Sequence, residues 1–306
     1  MSTPPAGTTK KGMFSRNDYL APLPIPTGEK PSDVLNIIWR KNEVFLDIGN
    51  YSIGSAVMVL WPSLLVFVFM GYITPDPGLI WIATLLIIGI PSIFVIQGLF
   101  RKVPLPIRFN RQRREVCVPR DNGEYWIVPW ETVTAAATQQ SSVSQAGKAT
   151  MGLLVIGFEN PDPHATEDNR HFSLGFNCGG GTTAMALWEC IRSYMEIGPE
   201  AVPDSRVGIA PYEETQIGSL LVDLRKGEVL SVLWGVFCIT LLGTYLAEKL
   251  QDWKLSHPPE LPHPDIIEWS KPLPADDWAK RSPELEAAIA QREAELAEQA
   301  LLMSRC

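Results

Sequence analysis

The sequence predicts a helical membrane protein that carries an α+β domain outside the bilayer. Two long uncharged apolar runs and a third, shorter run later in the chain indicate the membrane part. The domain is indicated by β-rich segments between turn residues, followed by one amphipathic helical pattern. We therefore expect a transmembrane hairpin, a third span, and an antiparallel sheet or small barrel that a C-terminal helix closes.

The first 47 residues are predicted to be a cytoplasmic segment that begins with a flexible lead, residues 1–33. They are rich in Pro, Thr and Gly, and Pro22, Pro24, Pro26 and Pro31 forbid a continuous helix. The stretch has no apolar core of the kind that a cleavable signal peptide needs. We expect no regular structure in it.

Residues 48–100 are predicted to form a transmembrane hairpin. No Asp, Glu, Lys or Arg occurs from Ile48 to Thr74, and a second uncharged run extends from Gly78 to Phe100. Each run exceeds the roughly 20 helical residues that cross about 30 Å of hydrocarbon. Tyr72 and Trp81 lie beside the short turn, and we expect them to anchor it at the membrane interface.

A run of basic residues after the hairpin sets the predicted orientation. The turn between the two apolar runs contains no Lys or Arg, whereas six bases follow the second run before the first acid. The positive-inside rule places both flanks in the cytoplasm. The same bases could also contact anionic lipid headgroups. The six residues of this predicted basic collar are Arg101, Lys102, Arg108, Arg111, Arg113 and Arg114.

Residues 101–228 are predicted to form the cytoplasmic domain. An Asp-Asn-Gly turn between two β-rich runs is a hairpin signal. Thr182–Ile197 then has apolar residues at helical spacing and stops at Gly-Pro. The expected strands are Glu115–Pro119, Tyr125–Val128, Gly152–Phe158 and His171–Phe176.

A third uncharged segment, residues 229–247, is close to the minimum length for a span. We expect it to cross, and the alternative is an interfacial or re-entrant helix that leaves the tail inside. The tail, residues 248–306, begins with a Pro-rich stretch that is predicted to be extended across a partner. A helix is expected from Ser282, with a thin apolar stripe that leaves both a solvated helix and partner docking open.

Two short patterns carry a family resemblance. The run Arg108-Phe109-Asn110-Arg111, a hairpin, Val128-Pro129-Trp130-Glu131 and a closing helix resemble bacterial pleckstrin-homology-like (PH-like) domains that follow a transmembrane hairpin. The first run, taken with Trp188–Glu196, is also similar to an uncharacterised family of proteobacterial inner-membrane proteins. Members of that family are often encoded beside type VI secretion toxins. The resemblance covers about Asp33 to Pro272.

The sequence predicts no catalytic, cofactor-binding or metal-binding residues, and therefore no enzyme. The Gly-rich turn before the closing helix lacks the Lys of a phosphate-binding loop, and no GxSxG occurs. The Asp, Glu and His residues of 162–171 do not have the spacing of a known metal site. The net charge of −8 argues against a nucleic-acid partner.

We therefore expect a protein that works through the lipid bilayer and a protein partner. The resemblance implies an immunity or accessory protein for a secreted antibacterial toxin or secretion component, and the acidic balance would suit a basic toxin. The alternative is a lipid-sensing or scaffolding module in which the arginines of the basic collar contact anionic headgroups. A transporter is disfavoured because the apolar runs hold no Asp, Glu, Lys, Arg or His. The sequence does not define the oligomeric state.

Overall fold

A computed structural model describes residues 4–144, 147–207, 212 and 215–304, without the side chains of 142–149 and 303–304. The chain divides into two compact units. The α+β unit comprises Met1–Asn50, Leu105–Ser205 and Glu260–Cys306, and the helical unit comprises Tyr51–Pro104 and Arg206–Pro259. Each unit is therefore assembled from segments that are distant in the sequence.

The helical unit contains the predicted hairpin. Two of its helices, Gly54–Ile73 and Gly78–Phe100, are long and apolar enough to cross a membrane. The second is regular except for one π-helical turn at Leu85–Gly89, which separates α2 from α3. Pro62 is accommodated inside the first helix, as prolines in bilayer helices commonly are. The helices of this unit are α1 (Gly54–Ile73), α2 (Gly78–Thr84), α3 (Ile90–Phe100), α5 (Gln216–Lys226), α6 (Val229–Leu241) and α7 (Thr244–Leu255).

The predicted third span is not one straight helix. The chain breaks after α6, and α7 continues at an angle of 67° to it. Gly243 lies at the break with φ +68°, in the left-handed region that glycine adopts without strain. The Trp61 ring packs so closely against Gly243 that an added Cβ would lie 2.8 Å from it. Residues 229–247 therefore do not form the continuous helix that the sequence predicts.

The α+β unit contains two five-stranded antiparallel sheets. The strand order is β1-β2-β8-β9-β10 in the first sheet and β3-β4-β5-β6-β7 in the second. Helix α4 (Gly181–Glu196) contacts β8 and β9. The strands are β1 (Thr9–Lys11), β2 (Ser15–Ala21), β3 (Ile38–Lys41), β4 (Phe45–Ile48), β5 (Ile107–Asn110), β6 (Glu115–Pro119), β7 (Tyr125–Pro129), β8 (Thr134–Ser144), β9 (Gly147–Glu159) and β10 (His171–Asn177).

The main core joins one face of each sheet to α4. Trp130 and Trp188 are both fully buried, and their rings stack with centroids 5.5 Å apart. Phe109 packs edge-on against the first of these rings. Burial of side chains this large contributes about 1.5–3 kcal/mol each. The antiparallel sheet and the helix of the predicted α+β domain are thus present.

The expectation of a flexible lead over residues 1–33 is wrong, and strands extend through the whole N-terminal segment. The segment provides β1, β2, β3 and most of β4. Strand β2 begins with two exposed residues, and partly buried and buried residues then alternate until Leu20 and Ala21 enter the core, which is the pattern of a half-buried strand. The prolines that suggested a disordered lead are confined to the connection between β2 and β3.

Most of the tail, residues 260–306, belongs to the α+β unit, whereas residues 248–255 are part of α7 in the helical unit. A short helix, α8 (Pro264–Trp269), interrupts the stretch that was expected to be extended, and α9 (Pro283–Ser304) starts where the Ser-Pro signal predicts. The Ser282 hydroxyl accepts a hydrogen bond from the Leu285 amide and so caps α9. The thin apolar stripe is not solvated, because Leu285 and Ile289 are buried.

Candidate functional site

The predicted basic collar is largely internal to the α+β unit. Arg108 lies opposite Asp47 in the β4–β5 register, so adjacent strands bring their side chains together. Its Nε donates to Asp47 Oδ1 at 2.6 Å and its Nη2 to Oδ2 at 2.8 Å. Both side chains are buried. This bidentate, charge-assisted pair holds Arg108 away from any lipid surface.

Arg114 takes part in a second buried ion cluster, at the C-terminal end of α4. Its guanidinium donates to both carboxylate oxygens of Glu196, at 2.9 and 3.2 Å, and to Glu131 at 3.0 Å. The Trp130 indole N–H donates to Glu196 at 2.7 Å, and Arg281 of the tail adds a bond of 2.6 Å. We call these five residues the Glu196 cluster.

The Glu196 cluster fixes the protonation of its central carboxyl. Burial alone would raise the pKa of Glu196. The hydrogen bonds and charge of Arg114, the indole N–H of Trp130 and the charge of Arg281 outweigh that effect, and they hold the pKa below the ordinary glutamate value. Glu196 is therefore an ionised structural partner, and not a proton donor waiting for a substrate.

The remaining collar arginines hold the tail or α4. Arg113 donates to the Trp269 carbonyl at 3.0 Å, while Arg111 donates to the Ile197 carbonyl at 3.0 Å and lies over the Trp278 ring. Arg101 and Lys102 differ from these four, because both are exposed just after α3. The predicted contact between the collar and lipid headgroups therefore does not hold for Arg108 and Arg114, because both are buried and paired with carboxylates. The topogenic role of the collar stays a prediction.

The loop between β5 and β6 fixes the tail by backbone as well as side-chain bonds. The Gln112 side-chain oxygen accepts a hydrogen bond from the Leu273 amide at 2.7 Å, and the Gln112 carbonyl accepts one from the Ala279 amide at 2.8 Å. The Trp269 indole N–H donates to Glu115 at 2.7 Å. This loop was predicted to contact the membrane, but it binds the tail.

The two predicted interfacial anchors flank the turn of the hairpin. Tyr72 is exposed at the end of α1. Trp81, in α2, packs against Gly71, where an added Cβ would lie 2.8 Å from the indole. Close packing of the ring on a glycine holds the antiparallel helices together at the turn. The position of these aromatic residues at a membrane interface remains a prediction.

The most exposed apolar side chains of the α+β unit include a pair at a hairpin end that the sequence analysis did not single out. Strands β1 and β2 meet in a turn closed by the Gly12 amide and the Ser15 carbonyl at 2.7 Å. The turn presents Met13 and Phe14, which are 89% and 58% exposed. A single exposed apolar side chain on a protein surface needs no explanation. Met13 and Phe14 are adjacent, however, and burial of both side chains against a partner would be favourable.

Basic and polar side chains surround this pair. Lys10, Lys11 and Arg16 flank it and are exposed, and the Phe14 carbonyl accepts the Ser141 amide of β8 at 2.8 Å. Strands β8 and β9 continue here beyond the part of the sheet that contributes to the core. We call this region the tip surface; it consists of Lys10, Lys11, Gly12, Met13, Phe14, Ser15, Arg16, Gln139, Ser141 and Met151.

The described residues contain no candidate metal centre. No group of three or more His, Cys, Asp or Glu among them could hold a metal ion. The depressions found on the described surface are open, including one of about 370 Å³ at the tip surface. No family model, no curated protein and no solved structure matches this chain.

Proposed function

We propose that the chain is a membrane-anchored, non-enzymatic protein that acts through protein contacts, as an immunity or accessory protein for a secreted antibacterial toxin. The observation that carries this proposal is the tip surface, where Met13 and Phe14 are exposed between basic residues. Interfaces draw their affinity from a few such large apolar side chains that become buried in a partner. The α+β unit would be the binding module, and the hairpin would station it at the bilayer.

The charge of the tip surface indicates the kind of partner. The chain as a whole is acidic, and the sequence therefore suggested a basic toxin. At the tip surface the local charge is reversed, because Lys10, Lys11 and Arg16 face solvent there and Asp18 is buried against Arg16. An acidic rim around an apolar pocket would complement it. We propose that the contacted face of the partner is acidic.

We also propose that the α+β unit is PH-like. Strands β4–β7 of one sheet, strands β8–β10 of the other and the following helix α4 support this assignment. In this interpretation β1, β2 and β3 are additions to the module. The apolar pair of the tip surface lies on the turn between the added strands β1 and β2, beside the end of β8 of the module.

Growth protection tests the proposed function. The chain is co-expressed with the product of the gene that neighbours its own, and survival is compared with survival of cells that express that product alone. We expect protection by the natural chain and loss of protection by the double variant Met13→Ser, Phe14→Ser. Ile267→Ser is the matched control, because Ile267 is also an exposed apolar residue but lies outside the tip surface.

A charge-reversal pair tests the partner's sign. Lys10→Glu with Lys11→Glu should weaken protection, since it places like charges against an acidic face. Glu167→Lys with Asp168→Lys alters the exposed β9–β10 loop, at the opposite end of β9 from the tip, and should change nothing. Full protection by the tip variants, with an unchanged amount of the protein in the membrane, would overturn the proposal. Binding of the purified chain to anionic vesicles with no toxin effect would favour a lipid module instead.

A further inference from the structure

We infer that the third apolar segment does not cross the membrane. Helices α5, α6 and α7 enter one leaflet from the side that carries the α+β unit, and the chain returns to that side before Glu260. The partner of the exposed face of α6 is then the acyl region of that leaflet. This placement reverses the three-span prediction and does not depend on the identity of any protein partner.

The first step concerns residues 260–306 of the tail, which are part of the folded α+β unit. Arg281 pairs with the buried carboxylate of Glu196, the Trp269 indole donates to Glu115, and Leu285 is fully buried. A bilayer cannot divide such a unit, because charged partners would have to face hydrocarbon. The chain before Arg206 and the chain after Pro259 therefore lie on the same side, and residues 206–259 cross an even number of times.

The second step concerns α7, which runs back toward the membrane face where the hairpin enters. The Trp61 indole N–H donates to the Thr240 carbonyl at 2.8 Å, at the break before α7. Trp61 is about 10 Å along α1 from Gly54, at 1.5 Å per residue. At the other end of α7, Lys254 donates to the Leu99 carbonyl at 2.6 Å, next to the end of α3. The N-terminal end of α7 therefore lies at moderate depth in the membrane, and its C-terminal end lies at the face where the hairpin enters.

The third step concerns α6, which is too short to span. Its 13 residues extend about 20 Å, against about 30 Å of hydrocarbon. Leu230 and Trp234 on α6 are mostly exposed, as expected of a helix that contacts lipid. The Trp61 bond satisfies a carbonyl at the break, where hydrocarbon would offer no partner.

Helix α5 provides the polar cover of this insertion. It contacts α6 along its length, with Leu220 against Gly235, and the Thr244 hydroxyl donates to Gln216 at 2.6 Å. Its exposed Arg225 and Lys226 precede the turn into α6. Basic residues at this position can contact headgroups while the apolar helix lies beneath them.

Cysteine labelling in intact membranes tests this topology. In full-length chain with Cys238→Ala and Cys306→Ala, a membrane-impermeant maleimide is applied from either side to Lys249→Cys, Lys102→Cys or Asp76→Cys. We expect Lys249→Cys and Lys102→Cys to react from the same side only, and Asp76→Cys from the other side only. Labelling of Lys249→Cys from the Asp76 side, as a third span requires, would overturn the inference.

Reporter fusions give a second measurement that does not use cysteine variants. A compartment-specific reporter is fused before Met1, after Cys306, or within the hairpin turn at Asp76 of the otherwise natural chain. The two terminal fusions should report the same compartment and the turn fusion the opposite one. Opposite compartments for the two termini would refute the same-side placement.

Discussion

The Glu196 cluster allows one substitution to be predicted in detail. Glu196→Gln keeps the size of the side chain and removes its charge, so that Arg114 and Arg281 face a neutral amide. The carboxylate accepts bonds from both guanidinium groups and from Trp130, and it is buried. Because removal of one member of a buried ion pair leaves an uncompensated charge, it typically costs about 3–5 kcal/mol.

That cost can be expressed as a thermal shift. The α+β unit comprises about 200 residues, for which 1 kcal/mol corresponds to roughly 2–4 °C in Tm. We therefore expect Glu196→Gln to lower the Tm of this unit by roughly 6–20 °C. Arg281 is partly exposed and bonds to the Glu196 carbonyl as well, so Arg281→Ala should cost less and should mainly release the tail.

Tryptophan fluorescence of the full chain in detergent measures this effect, because Trp130 and Trp188 stack beside the cluster. Release of the tail is followed by proteolysis of the segment before α9. Glu298→Gln is the matched control, since Glu298 is an exposed glutamate of α9. A Tm for Glu196→Gln equal to that of the control would refute a stabilising role for the cluster.

The pKa of Glu196 adds a pH dependence with a defined sign. Its pKa in the folded chain is lowered, so the unfolded chain binds the proton more readily. The stabilisation is present above the ordinary glutamate pKa and is lost as the pH falls through the lower, folded value. The Tm difference between the natural chain and Glu196→Gln should therefore shrink in acid. A difference that grows in acid would contradict this assignment.

Two further predictions concern buried thiols and backbone packing. Burial raises the pKa of Cys117 to about 12, so maleimide should leave this thiol unmodified in the native chain up to about pH 9. Ile266 packs over Cys117, so Ile266→Ala should speed the modification, which mass spectrometry measures. Equal modification rates in the natural chain and the variant would contradict this prediction. An added Cβ at Gly152 would lie 2.2 Å from the Gly180 backbone, whereas an added Cβ at Gly175 would make an ordinary van der Waals contact. Gly152→Ala should therefore lower the yield of folded protein strongly, and Gly175→Ala should not.

Local sequence was sufficient for the elements that depend on local properties. The hairpin helices follow from length and absence of charge, and the helix ends at Pro283 and near Gly198 follow from capping residues. Strands β2 and β4 were missed because each pairs with a remote strand, β8 and β5 respectively, and β1 and β3 pair only with β2 and β4. Ser15 pairs with Gln140, more than a hundred residues away, and no local pattern indicates such a pairing.

The basic collar shows why charge sign alone does not define a surface. Arg108 and Arg114 have the sequence context of topogenic bases, yet their partners Asp47 and Glu196 lie far away along the chain. Only the β4–β5 register and the end of α4 bring these charges together. The tip surface, by contrast, had a local signal in Lys10–Arg16, where an apolar pair stands between bases.

The ion pairs of the tail connect topology with function. Because Arg281 and Trp269 bind the α+β unit, the tail that the sequence offered to a partner is already occupied within the chain. The collar arginines are occupied by the same contacts. Surfaces without such internal partners are then the ones left for recognition, and the exposed apolar pair at the tip surface is one of these among the described residues. If the tip variants still protect cells, the tail is the next segment to test, and Arg281→Ala would then be expected to change binding as well as stability.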